Sequence, residues 1–245
     1  MTLRDDLVAQ GNWLFRNRSW VPLIALAGLL AALPFAPAPL AGRDRLLWEA
    51  FCVGLSLAGL ALRAAAVGCK PRGTSGRNRR VQNAQELNTT GLYSVVRHPL
   101  YLGNALMWTG IAIFPRVWAA AVFVGAFFWV LYERVMLAEE DFLRLKFGAE
   151  YERWAERTPA FIPAPARWRP PELPFSLRAV LKAEYPGFLA LAVVFTAMRA
   201  GLDLAQTHRL VLRPFWLGFL ASGVLAYVVL RTLRKHTAVL QIQGR

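Results

Sequence analysis

Long uncharged stretches alternate with short charged ones along the chain. With histidine counted as neutral, no residue is charged between Ser19 and Gly42, from His98 to Pro115, from Val117 to Tyr132, from Tyr185 to Met198 or from Pro214 to Leu230. A sixth stretch, Leu46 to Leu62, is apolar except for Glu49, which lies near one end where a carboxylate can reach the interface. A helix crosses a hydrocarbon core of roughly 30 Å with about 17 to 25 apolar residues. The pattern therefore predicts an all-α, polytopic transmembrane helical protein of about six spans. Met1 to Ser19 carries Arg4, Asp5, Asp6, Arg16 and Arg18 and shows no small-residue cleavage site after a short apolar run. The first apolar span is accordingly expected to remain as a helix.

Composition sharpens this picture. The chain is 56% hydrophobic, yet its formal net charge is +14. A soluble domain would scatter those charges along every helix, whereas here they are segregated. If six spans alternate, one set of connecting segments collects most of the Lys and Arg, including Arg16, Arg18, Lys70, Arg97, Arg134, Arg144 and Arg178. The other set holds Arg43, Arg45, Arg116, Arg199, Arg209 and Arg213. The positive-inside bias then puts both termini in the cytoplasm. Basic juxtamembrane segments held by anionic lipid account for the charge, which argues against nucleic acid as a partner. Cys52 and Cys69 have no metal-ligand spacing and His98, His208 and His236 lie far apart, so neither a metal site nor a disulfide framework is expected. The Arg- and Ala-rich composition without targeting features is compatible with a bacterial inner membrane.

Two cytoplasmic segments, 63–97 and 133–185, are too long to be simple turns, and function is sought there. The third and fourth spans are joined by little more than Pro115 and Arg116. They must form a tight hairpin whose open ends bring His98 and the Glu139-Glu140 pair to one cavity at the cytoplasmic interface. The first segment is polar, rich in amides and hydroxyls and punctuated by glycines, and it contains no Gly-x-Gly-x-x-Gly. Three regions follow: 1–69, an N-terminal segment with two spans; 70–163, a core of loop, hairpin and lid; and 164–245, a Pro-rich linker with two further spans.

Read together, Thr90-Gly91-x-Tyr93, Arg97-His98-Pro99-x-Tyr101-x-Gly103, Glu139-Glu140 and Phe147-Gly148-x-Glu150-Tyr151 resemble the isoprenylcysteine carboxyl methyltransferases. Phospholipid N-methyltransferases are similar over the same core, from about Asn78 to Pro163. The resemblance implies S-adenosylmethionine bound without a Rossmann domain, in a cytoplasm-facing pocket capped by loops around a transmembrane hairpin. By matching motif positions, cofactor contacts fall on Gln85, Leu87, Asn88, Tyr93, His98, Pro99, Tyr101 and Glu139. Such a cofactor presents an ammonium to Glu139, a carboxylate to donors such as His98, and a sulfonium that Tyr93 or Tyr101 can face.

In-line methyl transfer needs a nucleophile held about 3 to 3.5 Å from the methyl carbon. A carboxylate or phosphate acceptor would be oriented by Arg134 or Arg97. An amine would need a carboxylate such as Glu140 to take its proton. The expected partners are membrane lipids and an amphiphilic or prenylated substrate entering sideways from the bilayer. In the protein-methylating members an arginine stands four residues before the cofactor-binding glutamate, whereas this chain has Val135 there and Arg134 beside it. Phe147 to Pro163, with Tyr151 and Trp154, is expected to act as a lid. Membrane sterol and steroid reductases, which use a nicotinamide cofactor, carry a similar Arg-His-Pro-x-Tyr-x-Gly string. That activity, or a non-catalytic membrane role, stands as the alternative.

Overall fold

The structure is a computed structural model and describes residues 2–71 and 84–242. The start of the family-like core at Asn78 and the glycine- and arginine-rich run before Ala84 lie outside the described residues. Eight α-helices are found among the described residues: α1 Leu3–Asn17, α2 Val21–Ala31, α3 Gly42–Gly68, α4 Pro99–Ile113, α5 Trp118–Phe147, α6 Ala149–Arg157, α7 Leu177–Thr207 and α8 Pro214–His236. Four of them, α3, α5, α7 and α8, are long and apolar enough to cross a membrane.

The first predicted span is divided. α2 stops at Ala31, a single 3-10 turn follows at Leu33–Phe35, and the chain runs on in irregular backbone to Gly42. Pro34, Pro37 and Pro39 supply the reason, since each lacks an N–H and biases the preceding residue away from helix. The chain nevertheless passes from one face to the other. Arg4 pairs with Asp141 near the end of α5 at 2.7 Å, and the Ala38 carbonyl accepts from Arg116, in the turn just before α5, at 3.1 Å. The first forty residues thus run antiparallel to α5. α1, which charge alone assigned to a cytoplasmic segment, is an amphipathic helix packed on α5 through Gly11, where a Cβ would strike the Arg134 carbonyl.

α3 and α4 pack antiparallel and close, because Gly59, Gly103 and Gly110 leave no side chains between them. Ser56 donates to the Met107 carbonyl at 2.8 Å and Trp48 to the Phe114 carbonyl at 3.1 Å. α4 turns into α5 through Pro115 and Arg116, and Arg116 takes a positive φ of 63° to close the hairpin. α5 then continues without a break past Tyr132 to Phe147, so one helix is both membrane span and platform for Glu139 and Glu140. α7 packs on α3, and α8 on α7. The buried apolar core runs from Ile111, Phe114, Phe195, Met198 and Trp216 near Arg116 along the bundle to Leu131, Val135, Met136 and Phe15. At the end opposite Arg116 the same helices part around a cavity.

Candidate functional site

The two long segments meet through backbone bonds. Arg97 N–H donates to the Pro159 carbonyl at 2.8 Å, His98 N–H to Ala160 at 3.2 Å, Ala164 N–H to Val95 at 2.9 Å and Gly91 N–H to Arg169 at 3.0 Å. Gly91 has a positive φ of 59°, which a residue with a Cβ rarely adopts. The Trp154 indole donates to the Tyr93 carbonyl at 3.1 Å, and the Ser94 hydroxyl to that of Gly91 at 2.7 Å. Residues 91–98 are therefore clasped by 154–169, and His98, at the N-terminus of α4 before Pro99, is fixed by its neighbours on both sides.

His98 is wedged between consecutive carboxylates of α5. Its Nε2 lies 3.0 Å from Glu140 Oε1 and its Nδ1 3.7 Å from Glu139 Oε2. Successive helical residues point about 100° apart, so the two acids reach the ring from different directions. Burial alone would lower the imidazole pKa, but hydrogen bonding and charge from Glu139 and Glu140 outweigh it. The net direction is upward from the usual 6.5, favouring the imidazolium. Glu139 also accepts from the Tyr101 hydroxyl at 2.7 Å. Glu140 has Arg97 Nε at 3.2 Å, without the geometry of a hydrogen bond. The Tyr151 hydroxyl is fully buried beside Glu140 and likewise makes no well-formed hydrogen bond; burial first and the Glu140 charge second push its pKa up.

A cavity of about 320 Å³ opens over this group, within the roughly 300 to 1,000 Å³ usual for small-molecule sites. Of the residues singled out in the sequence, Leu87, Asn88, Tyr93, Arg97, His98, Pro99, Tyr101 and Glu139 line it. Glu140 stands behind His98. Gln85 is exposed and lies outside the lining, and Arg134 points to Glu133 and Gln10 under α1. The structure adds residues that motif reading passed over: Phe15 from α1 and Arg18 just after it, Arg63 and Val67 from α3, Asn104 from α4, and Ala183 and Glu184 from α7. Arg63 and Glu184 carried a signal, as charges placed at the ends of apolar spans. Arg18 carried none beyond the basic bias.

The lining suits a zwitterionic cofactor with a flat base. Glu139 and Glu86 offer carboxylates to an ammonium, Arg97, ion-paired with Glu140 through Nε, brings positive charge to the same wall, and Tyr93, Trp154, Leu87 and Leu100 give aromatic and aliphatic walls. Among the described residues no group of three or more His, Cys, Asp or Glu side chains is placed to hold a metal ion.

A family model described as phospholipid methyltransferase matches residues 51–150. The chain is 32% identical over 167 residues to the cobalt-zinc-cadmium resistance protein CzcN of Cupriavidus metallidurans, covering 66% of this chain and 70% of that protein. It is 35% identical over 82 residues to the nickel-cobalt-cadmium resistance protein NccN of Alcaligenes xylosoxydans xylosoxydans, covering 34% of this chain and 38% of that protein. It is also 27% identical over 84 residues to protein-S-isoprenylcysteine O-methyltransferase B of Arabidopsis thaliana, covering 34% of this chain and 43% of that enzyme. The match thus spans less than half the length of NccN and of the plant enzyme. No solved structure matches the chain.

Proposed function

The chain belongs to the isoprenylcysteine carboxyl methyltransferase and phospholipid methyltransferase family of integral membrane proteins, and we propose that it transfers a methyl group from S-adenosylmethionine to the polar head of an amphiphile. The observation that carries this reading is the Glu139–His98–Glu140 group with Tyr101, presented at the floor of a cavity built where the hairpin opens. When bound, S-adenosylmethionine supplies an electrophilic methyl on a sulfonium.

The chain's own residues do the rest. Glu139, braced by Tyr101, receives the cofactor ammonium. His98, whose protonated form the paired carboxylates favour, and Arg97 offer positive charge to its carboxylate. Tyr93 and Trp154 provide faces for the base, and Leu87 and Asn88 close the cytoplasmic side. α6 and the extended run to Arg169 cover the site and limit water. Electrostatic preorganisation and positioning supply the rate, since the electrophile is already activated.

The amphiphile enters from the side. α1 and α7 both border the cavity, and at the far face the turn after α2 meets α7, where Leu33 lies against Gly201. A gap between them toward the apolar layer would let a tail stay in lipid while its head reaches the methyl. The Lys and Arg bias supports a cytoplasmic position for this face and for both termini, and the composition fits a bacterial inner membrane. The acceptor head is a carboxylate, a phosphate or an amine.

Calorimetry on the detergent-purified protein tests the reading. S-adenosylmethionine binding at micromolar Kd, abolished in His98→Ala and in Glu139→Ala, is the expected result. Binding of NADPH in place of S-adenosylmethionine would reject it in favour of a reductase.

A further inference from the structure

Two charge clusters lie within the membrane-crossing helices. Toward the far face, Glu49, Arg199, Asp203 and Arg213 neutralise one another, with Asp203 held by both arginines at 2.6 to 2.8 Å. The other cluster joins α3 to α7 at the cavity. Arg63 Nε and Nη2 donate to the two oxygens of Glu184 at 2.9 and 2.8 Å, and Nη1 donates to Asn104 Oδ1 at 2.8 Å. All three residues line the cavity.

A buried ion pair is poor evidence of a stability role, because desolvation offsets most of its attraction, and ionisable groups inside an apolar layer mark function more often. The helices are shaped around this one. A Cβ on Gly103 would lie 2.5 Å from Arg63 Cγ, so glycine at 103 is what lets the arginine stem cross α4 to Asn104. Three of the guanidinium's five N–H donors are used in these bonds, which leaves one on each terminal nitrogen. Asn104 stands one turn beyond Tyr101 toward the membrane centre, so Arg63 lies on the membrane side of Glu139, where an amphiphile's head arrives.

We propose that Arg63, held by Glu184 and Asn104, anchors an anionic acceptor head, a carboxylate or a phosphate, beside the methyl donor. Glu184 belongs to α7, outside the matched core of residues 51–150, and acts as a positioning residue that fixes the guanidinium. The inference rests on the methyltransferase function proposed above. An amine head fits poorly, since the carboxylate nearest to it is already bound bidentately by Arg63 and its own charge would face a guanidinium. With an anionic oxygen the step balances without acid or base. The acceptor oxygen bonds to the methyl carbon while the carbon–sulfur bond breaks, its electron pair staying on sulfur, and no proton moves.

The test uses the full chain in phosphatidylcholine vesicles carrying one probe at a time: N-acetyl-S-farnesylcysteine, phosphatidic acid or phosphatidylethanolamine. Probe binding, KM and kcat for labelled-methyl transfer, the Kd of S-adenosylmethionine and thermal unfolding are measured. The variants are Arg63→Gln, Arg63→Lys, Glu184→Gln and the exchange Arg63→Glu with Glu184→Arg. An anionic probe should bind and be methylated, the farnesylcysteine and phosphatidic acid arms telling carboxylate from phosphate. Arg63→Gln should raise its KM about tenfold or more, as loss of a charge-assisted contact does, with the cofactor Kd unchanged. Glu184→Gln should shift KM in the same direction by less. The exchange keeps the ion pair but moves the guanidinium to α7 and gives up the bond to Asn104, so it should fold and bind the cofactor yet fail to recover KM. If Arg63→Gln does not fold, Arg63→Lys, which keeps the charge but loses the forked donors, should raise KM with the cofactor Kd unchanged, and an unchanged KM there would overturn the proposal as a recovered one in the exchange would. Recovery of KM in the exchange, an indifferent KM in Arg63→Gln, loss of cofactor affinity there, or methylation of phosphatidylethanolamine alone would each overturn the proposal. A wild-type protein that binds no S-adenosylmethionine removes the methyltransferase reading with it, whereas one that methylates an anionic probe without regard to Arg63 removes this inference alone.

Discussion

Gly103→Ala is the sharpest perturbation of the site's frame, because the structure fixes the sign of its effect against a matched control. Replacing glycine by alanine inside a helix stabilises it by about 0.5 to 1 kcal/mol where space allows. Gly125 on α5 meets that condition, since a Cβ there would find nothing within 4 Å. At Gly103 the same methyl would lie 2.5 Å from Arg63 Cγ and 2.7 Å from the Gly59 carbonyl oxygen. The arginine stem could swing aside only by leaving Asn104 and Glu184, and the carbonyl belongs to α3's backbone and cannot yield without moving the helix. Overpacking of this kind costs about 1 to 3 kcal/mol, which exceeds the propensity gain. Gly103→Ala should therefore be destabilised by about 1 to 2 kcal/mol and Gly125→Ala stabilised by up to about 1 kcal/mol. Reversible unfolding in mixed micelles, followed by circular dichroism over a detergent titration, reads both. Equal stability of the two variants would mean that α3 and α4 do not approach at Gly59 and Gly103, and the account of how Arg63 reaches the cavity would fall.

His98 makes stability depend on pH. Its folded-state pKa lies above the usual 6.5, so its contribution is complete below that value and fades as pH rises through the folded pKa. Unfolding measured from about pH 6 to 9 should show wild type losing stability toward the alkaline end and His98→Gln showing a flatter profile; parallel profiles would refute the paired-carboxylate geometry. Tyr101→Phe removes a hydrogen bond to the Glu139 carboxylate and should cost about 1.5 kcal/mol or more in the same unfolding assay. Tyr151→Phe removes a buried hydroxyl that makes no well-formed bond and should stay within about 0.5 kcal/mol of wild type or gain. A larger loss at Tyr151 would show that its hydroxyl engages Glu140.

Much of the architecture is legible in the sequence because lipid imposes simple rules. Apolar runs, uncharged except for Glu49 in α3, mark α3 to α5, α7 and α8, and the short Pro115-Arg116 connection requires the hairpin that unites His98 with Glu139 and Glu140. The first crossing departs from the hydropathy pattern for a physical reason: hydropathy measures transfer into lipid, and the prolines between Leu33 and Leu40 keep that favourable while ending the helix. α1 is hidden because its charges mask an apolar face, which carries Phe15 to the cavity and Gly11 to α5.

The site divides in the same way. Local strings such as Arg97-His98-Pro99-x-Tyr101-x-Gly103 announce themselves, since neighbouring residues there share one task. Yet the meaning of the last glycine in that string depends on Arg63, about forty residues earlier, and Arg63 depends on Glu184, more than a hundred residues later. No spacing rule connects such positions, because three different helices bring them together. What sequence offers is the cost of each charge in an apolar span. At Arg63 and Glu184 no local partner offsets that cost, so each charge must be met by something distant in the chain, and two such charges of opposite sign at the same end of neighbouring spans are the mark by which a long-range pair can be sought.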